Sequence, residues 1–138
     1  GNGMPIGAVW AKKSVAGVFQ PGDHGSTFSG TAIATAAARA TIQVMKEINA
    51  PELARAKGKY LSESLQKIPG IIDVRGRGLL LGAELKPGTD AKLVYNSLLD
   101  HGLVTNAVTA TALRLAPPIT VSTEEIDQAV AIIADVLQ

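Results

Sequence analysis

The texture of this chain changes once, near Ala50, and that change limits the available folds more than any other feature. Upstream, glycine-rich turns alternate with short apolar runs and an alanine-rich stretch. Downstream, apolar residues recur at three- and four-residue spacing, then at alternate positions, and then repeat that order. Periods of 3.6 and 2 are the signatures of helices and strands packed against one core. The downstream part reads αββαββα, a small α+β domain. The expected boundary divides the chain into residues 1–48 and 49–138.

Residues 6–11, "IGAVWA", read as a buried strand. Residues 31–48 read as a helix that is apolar on most of its surface and therefore expected to be buried. Asn49 stands where a cap is needed, and Pro51 suits a first helical turn. Leu53, Lys57, Tyr60, Leu61, Ser64, Leu65 and Ile68 then mark one face of an amphipathic helix, which Pro69-Gly70 stops. Two strands follow in 71–85, joined at Gly76-Arg77-Gly78. Thr89 is the expected cap of the next helix, whose face carries Val94, Leu98 and His101 and which ends at Gly102. Residues 103–108 and 112–118 read as short strands. Ser122 and Glu125 form a capping-box pair, and Ile126, Ala129, Val130, Ile133 and Leu137 make the last helix's buried stripe.

Composition narrows the function. The formal net charge of +1 gives no reason to expect nucleic acid as a partner. The chain has no cysteine, hence no disulfide framework and no thiolate metal site, which fits a reducing cytoplasm. Apolar runs stay well below the ~18 residues that span a membrane, so no membrane role is expected. The first residues lack a signal-peptide pattern and a starting methionine, so the chain reads as a piece of something longer.

The stretch "GDHGSTFSG", residues 22–30, runs into a helix. Its glycines, the Ser26 and Thr27 hydroxyls and the helix N-terminus suit a phosphate. The same residues also suit an ordinary loop with capping hydroxyls, and the Gly-Lys-Ser/Thr ending of a P-loop is absent. His24 has no evident carboxylate partner for base catalysis, and His101 suits a helix C-terminus. Arg114 lies among Leu113, Leu115 and Ala116. A guanidinium there must be exposed, paired, or open to an anion, because burying it alone costs several kcal/mol. Its planar fork suits a carboxylate. Arg75 and Arg77 read as turn or surface charges. The residues supply no metal cluster and no Ser-His-Asp order.

Taken in order, "GNGMPIGAVWA", "GDHGSTFSG", "VRGRGLLLGAEL", "VTNAV" and "LRLAPP" span nearly the whole chain. Together they resemble the C-terminal part of the class III aminotransferases, pyridoxal-phosphate enzymes of fold type I, and within them the acetylornithine branch. The resemblance implies the end of the large cofactor domain in residues 1–48 and the small C-terminal domain in 49–138. It implies that Thr27 binds the cofactor phosphate across a homodimer interface, with Gly25 and Ser26 beside it. Ser26 also lies next to the substrate, and Arg114 binds the substrate α-carboxylate. The implied reaction is ping-pong transamination: the δ-amino group of N-acetylornithine passes to the cofactor and then to 2-oxoglutarate. Ornithine, succinylornithine and 4-aminobutyrate enzymes are close variants. The rival of another class is a non-catalytic anion-binding or dimerisation module. The family's Schiff-base lysine precedes the phrase at Gly1 and is not in this chain. Also absent are the glycine loop that holds the phosphate from the same subunit and the aspartate that pairs with the pyridine nitrogen. The 138 residues alone are therefore expected to be inactive, and their apolar first helix to be exposed, swapped or covered by self-association.

Overall fold

Three devices shape the longer part of the chain: a helix with one apolar stripe, a two-residue hairpin and a closing capping box. The computed structural model describes all 138 residues, Gly1–Gln138. It divides into two units, Gly1–Ile48 and Asn49–Gln138.

The first unit holds a single-turn helix α1 (Lys13–Ala16) and a long helix α2 (Ala32–Glu47). The Thr31 hydroxyl caps α2 by accepting from the Ala34 N–H at 3.4 Å. Residues 6–11 form no strand. This unit has no other strand to pair with, and an isolated strand leaves its backbone groups without partners. Burial of α2 is also not observed. Ala34 is the unit's one buried residue, and Ile33, Ile42, Val44 and Met45 are exposed. The helix pattern was legible, but its cover does not lie within these 48 residues.

The second unit builds a two-layer α+β structure. Helix α3 (Ala50–Leu65) carries Pro51 in its first turn and buries Leu61 and Leu65. The Lys57 ammonium donates to the Ile119 carbonyl at 2.9 Å, so its stem lies along the unit while its head is satisfied. Asn49 does not cap α3 with its side chain. It adopts the left-handed region (φ 48°, ψ 54°), and the Glu52 and Leu53 N–H groups reach its backbone carbonyl instead.

Strands β1 (Ile71–Arg77) and β2 (Leu80–Leu85) pair antiparallel, and the closing pair is Arg77 with Leu80. The turn is therefore Gly78-Leu79, and β1 continues through the Gly76-Arg77 that sequence assigned to the connection. Gly78 has φ 56°, a conformation that suits glycine in such a tight turn. Helix α4 (Ala91–Asp100) is capped by Asp90, whose carboxylate accepts from the Lys92 and Leu93 N–H groups, rather than by Thr89. His101 closes it, with Nδ1 2.8 Å from the Ser97 carbonyl oxygen. Strands β3 (Asn106–Ala107) and β4 (Ala112–Leu115) are shorter than their apolar runs. The prolines at 117 and 118 lack the N–H that a longer ladder needs. Helix α5 (Thr123–Val136) opens on the expected Ser122–Glu125 capping box.

The sheet order is β1-β2-β4-β3, with every neighbouring pair antiparallel. Leu81, Ala83, Leu85, Leu113 and Leu115 face the core with Leu61, Leu65, Leu98, Ile126 and Ile133. Alternation sends Arg75, Gly82, Glu84 and Arg114 to the opposite face. The helices cover the first face, and on the second Arg75 and Arg114 are exposed while Ala112 is buried. No helix of the chain is long and apolar enough to cross a membrane.

Candidate functional site

Two groups of residues carry the expected chemistry, one in each unit. In the first unit, residues 22–30 form turns that lead into the capped start of α2. Gly25, Ser26 and Thr27 are all exposed there. The Ser26 hydroxyl accepts from the Phe28 N–H at 3.3 Å, a local hydroxyl turn. Nothing lies within 4 Å of where a Cβ on Gly25 would sit. Ser26 and Phe28 line a shallow cleft of about 310 Å³ with Pro5, Ile6 and Gly7. The cleft thus brings the first two sequence phrases together. Thr27 lies beside the cleft in sequence but is not part of its wall. His24 is exposed and stands in no acid-base pair.

In the second unit, register builds one row across all four strands. Arg75 stands opposite Gly82, Gly82 opposite Arg114, and Arg114 opposite Asn106. Directly opposed residues place their Cβ atoms about 5 Å apart. The row therefore holds two guanidiniums separated by a residue with no side chain, and an amide beside the second one. The two arginines have different surroundings. Arg75 Nη2 donates to Glu84 Oε2 at 2.9 Å, and its Nη1 lies 3.4 Å from Asp73 Oδ2. The other ion pairs of the chain, Arg55–Glu52 and Lys59–Glu63, lie on α3. Arg114 takes part in none and is exposed.

Glu84 lies one row away, opposite Asp73 on one side and Ala112 on the other. The Thr111 hydroxyl donates to Glu84 Oε1 at 2.5 Å, so a different partner holds each carboxylate oxygen. That hydroxyl, and then Arg75, keep the Glu84 carboxyl below the usual carboxylate range. Arg75 is correspondingly raised, through Glu84 first and then Asp73. Sequence reading treated Arg75 as a turn or surface charge and passed over Gly82, Glu84 and Thr111. The alternation in "LLGAEL" was the available signal, but the register that joins it to Arg75 and Arg114 is not a local property.

An apolar cleft of about 360 Å³ opens elsewhere in this unit, between Leu61, Leu103, Leu115, Val121 and Ile126. Its carboxylate, Glu125, is engaged in the α5 cap, and none of the expected site residues line it. No group of three or more His, Cys, Asp or Glu side chains is placed to hold a metal ion.

The chain can be compared with known proteins on this basis. The model of the aminotransferase class-III family matches residues 1–137. An acetylornithine aminotransferase of Listeria innocua is 41% identical over all of this chain and 36% of its own length. An ornithine aminotransferase of Bordetella pertussis is 40% identical over 99% of this chain and 34% of its own length. The crystal structure of acetylornithine aminotransferase from Elizabethkingia anophelis superposes with a TM-score of 0.79 at 29% identity, over 92% of this chain and 35% of that one. The Toxoplasma gondii ornithine aminotransferase superposes with a TM-score of 0.76 at 30% identity, over 89% of this chain and 31% of that one. Its structure has partial occupancy of pyridoxal phosphate at the active site. The chain spans about a third of the length of the curated relatives it matches. It belongs to the class-III aminotransferase family, and its fold is that of the C-terminal part of a pyridoxal-phosphate-dependent transferase.

Proposed function

We propose that the enzyme carrying this chain is a pyridoxal-phosphate aminotransferase of the acetylornithine type. It would move the δ-amino group of N-acetylornithine to 2-oxoglutarate, a step in arginine biosynthesis in the cytoplasm. The observation that carries this reading is Arg114, a guanidinium without an ion pair at the middle of the second sheet face, flanked by Gly82 and Asn106. An unpaired planar fork in that setting suits a substrate carboxylate bound through two parallel N–H···O bonds. Holding the carboxylate fixes the amino end of the substrate at a set distance, which is catalysis by positioning.

The loop at residues 25–27 fits the cofactor's phosphate. Two hydroxyls are exposed there, and Gly25 leaves the backbone uncrowded. Thr27 would donate its O–H to a phosphate oxygen. Ser26 would do so from the cleft wall, where it also meets the substrate. Pyridoxal phosphate, when bound, supplies the carbonyl that takes up the amino group and the ring that draws off electron density. This cradle would serve the cofactor of the partner subunit in a homodimer, and the exposed apolar residues of α2 offer a surface for such pairing. In this reading residues 1–48 are the end of the large domain and residues 49–138 the small domain. None of the 138 residues is assigned the Schiff-base role, so the chain by itself would not turn over.

The 40% identity to an ornithine aminotransferase favours one second reading, in which ornithine itself is the donor. A coupled assay for glutamate separates the two. N-acetylornithine should exceed ornithine and 4-aminobutyrate as donor by at least tenfold in kcat/KM. Preference for ornithine would replace the first reading with the second, and failure of every donor would reject both.

A further inference from the structure

Within this sheet, Glu84 is the carboxylate best placed to spoil Arg114. Gly82 stands opposite Arg114, and Glu84 is two residues further along the same strand, opposite Ala112. Both side chains leave the sheet on its second face. Such diagonal neighbours lie about 7–8 Å apart at the backbone, within reach of long side chains. Gly82 puts no side chain between them. A glutamate and an arginine in this relation ordinarily pair, and an arginine that is paired internally is lost to a ligand.

The pair does not form, and its absence has a visible cause. Glu84 Oε1 accepts from the Thr111 hydroxyl at 2.5 Å, and Oε2 accepts from Arg75 at 2.9 Å. These partners approach from both sides of the carboxylate, Arg75 from β1 and Thr111 from the residue before β4. Together they leave the Glu84 side chain 24% exposed, against 55% for Arg75. Charge-assisted hydrogen bonds are roughly twice as strong as neutral ones, so two of them fix the carboxylate firmly. Asp73 adds a second, weaker hold on Arg75 at 3.4 Å, which keeps that guanidinium in place.

We propose that Glu84 is a parked carboxylate, with Arg75 and Thr111 acting as positioning residues that hold it away from Arg114 and so leave that guanidinium open to the substrate carboxylate. This rests on the reading that Arg114 binds that carboxylate. The device costs the protein no net charge, since Glu84 offsets Arg75 while Arg114 keeps its full attraction for an anion.

The test is made in the holoenzyme with 2-oxoglutarate and N-acetylornithine as substrates. Releasing Glu84 with Arg75→Gln and Thr111→Val together should raise KM for 2-oxoglutarate three- to tenfold, with kcat changed less than twofold. Adding Glu84→Gln should return KM to its original value, because the amide carries no charge to compete. Thr111→Ser, which keeps the donor, should leave KM unchanged. A second readout needs no turnover. In ¹⁵N spectra of the holoenzyme, the Arg114 Nε–Hε signal should follow Glu84 ionisation in the released variant and ignore it in the parent. That readout, with the single Arg75→Gln variant, decides the question if the double variant does not fold. Arg114→Gln is the control. If it leaves KM for both substrates unchanged, the carboxylate reading fails and this inference fails with it. If it raises KM while the released variant does not, or if Glu84→Gln gives no recovery, only the parking role is overturned.

Discussion

The two units of this chain have similar apolar content to work with and use it differently. Residues 49–138 close a core: Leu61, Leu65, Leu85, Leu98, Leu113 and Ile133 are all almost wholly removed from solvent. Residues 1–48 bury Ala34 alone and leave Val9, Trp10, Phe28 and Ile33 in the open. The difference lies in topology rather than composition. The second unit has four strands to pair and three helices to lay on one face, so each apolar stripe meets another. The first unit has one long helix and no sheet, so most of its apolar surface stays uncovered. Apolar patterning therefore predicts which face seeks cover, and only topology decides whether the cover belongs to the same unit.

The sharpest way to break this contrast is to truncate one apolar residue in each unit. Leu65→Ala should destabilise the second unit by about 2–5 kcal/mol, the usual range for a fully buried leucine. Ile42→Ala should change the chain's stability by less than ~0.5 kcal/mol, as for other exposed sites. Urea unfolding followed by circular dichroism measures both, and equal losses would erase the distinction. Close approach offers a second probe. A Cβ on Gly58 would lie 2.0 Å from the Gly78 carbonyl oxygen. Gly58→Ala should therefore cost about 1–3 kcal/mol through overpacking, although alanine is the better helix former. A gain in stability would show that α3 and the hairpin turn can separate freely.

Smaller effects separate binding from folding. Thr27→Val removes one charge-assisted donor and should weaken retention of pyridoxal phosphate in the holoenzyme about tenfold, read from the cofactor left after dialysis. Stability should not move, because Thr27 supports no core. Ser122→Ala should do the reverse: a loss of about 1 kcal/mol in the second unit with cofactor retention unchanged. The pH dependence of Glu84 is a finer effect. Its folded carboxyl titrates below the ordinary value, so its contribution to stability is present above that value and lost as pH falls through the depressed one. The stability gap between the parent and Glu84→Gln should accordingly shrink on acidification from pH ~6 to ~3. A gap that widens would mean the carboxyl is not stabilised in its charged form.

Much of the second unit was legible because its signals are local. The α3 stripe, the Ser122–Glu125 box and the alternation in β2 each depend on residues within one or two turns of one another. The misses mark where local reading ends. The connection between β1 and β2 moved by two residues, because Gly76 and Gly78 offered equal turn chemistry and pairing with Leu80 made the choice. Asp90 took the cap that Thr89 also suited, because the helix begins one residue later. The strand expected at residues 6–11 needed a partner that no stretch of the first unit supplies. In the candidate site, Arg114 stood out as a charge among leucines. Its row with Gly82 and Asn106, and the holding of Glu84 by Arg75 and Thr111, come from register between strands, which joins β2 to a β4 segment about 30 residues away and which no spacing rule reaches.

The most direct test compares one substitution on two substrates. Arg114→Gln in the holoenzyme should lower kcat/KM for N-acetylornithine by tenfold or more, the loss expected for a charged hydrogen-bond pair. For the decarboxylated analogue of the same donor, which has nothing for the guanidinium to hold, it should change kcat/KM less than twofold. Equal losses on both substrates, or no loss on either, would contradict the assignment of Arg114 as the carboxylate anchor.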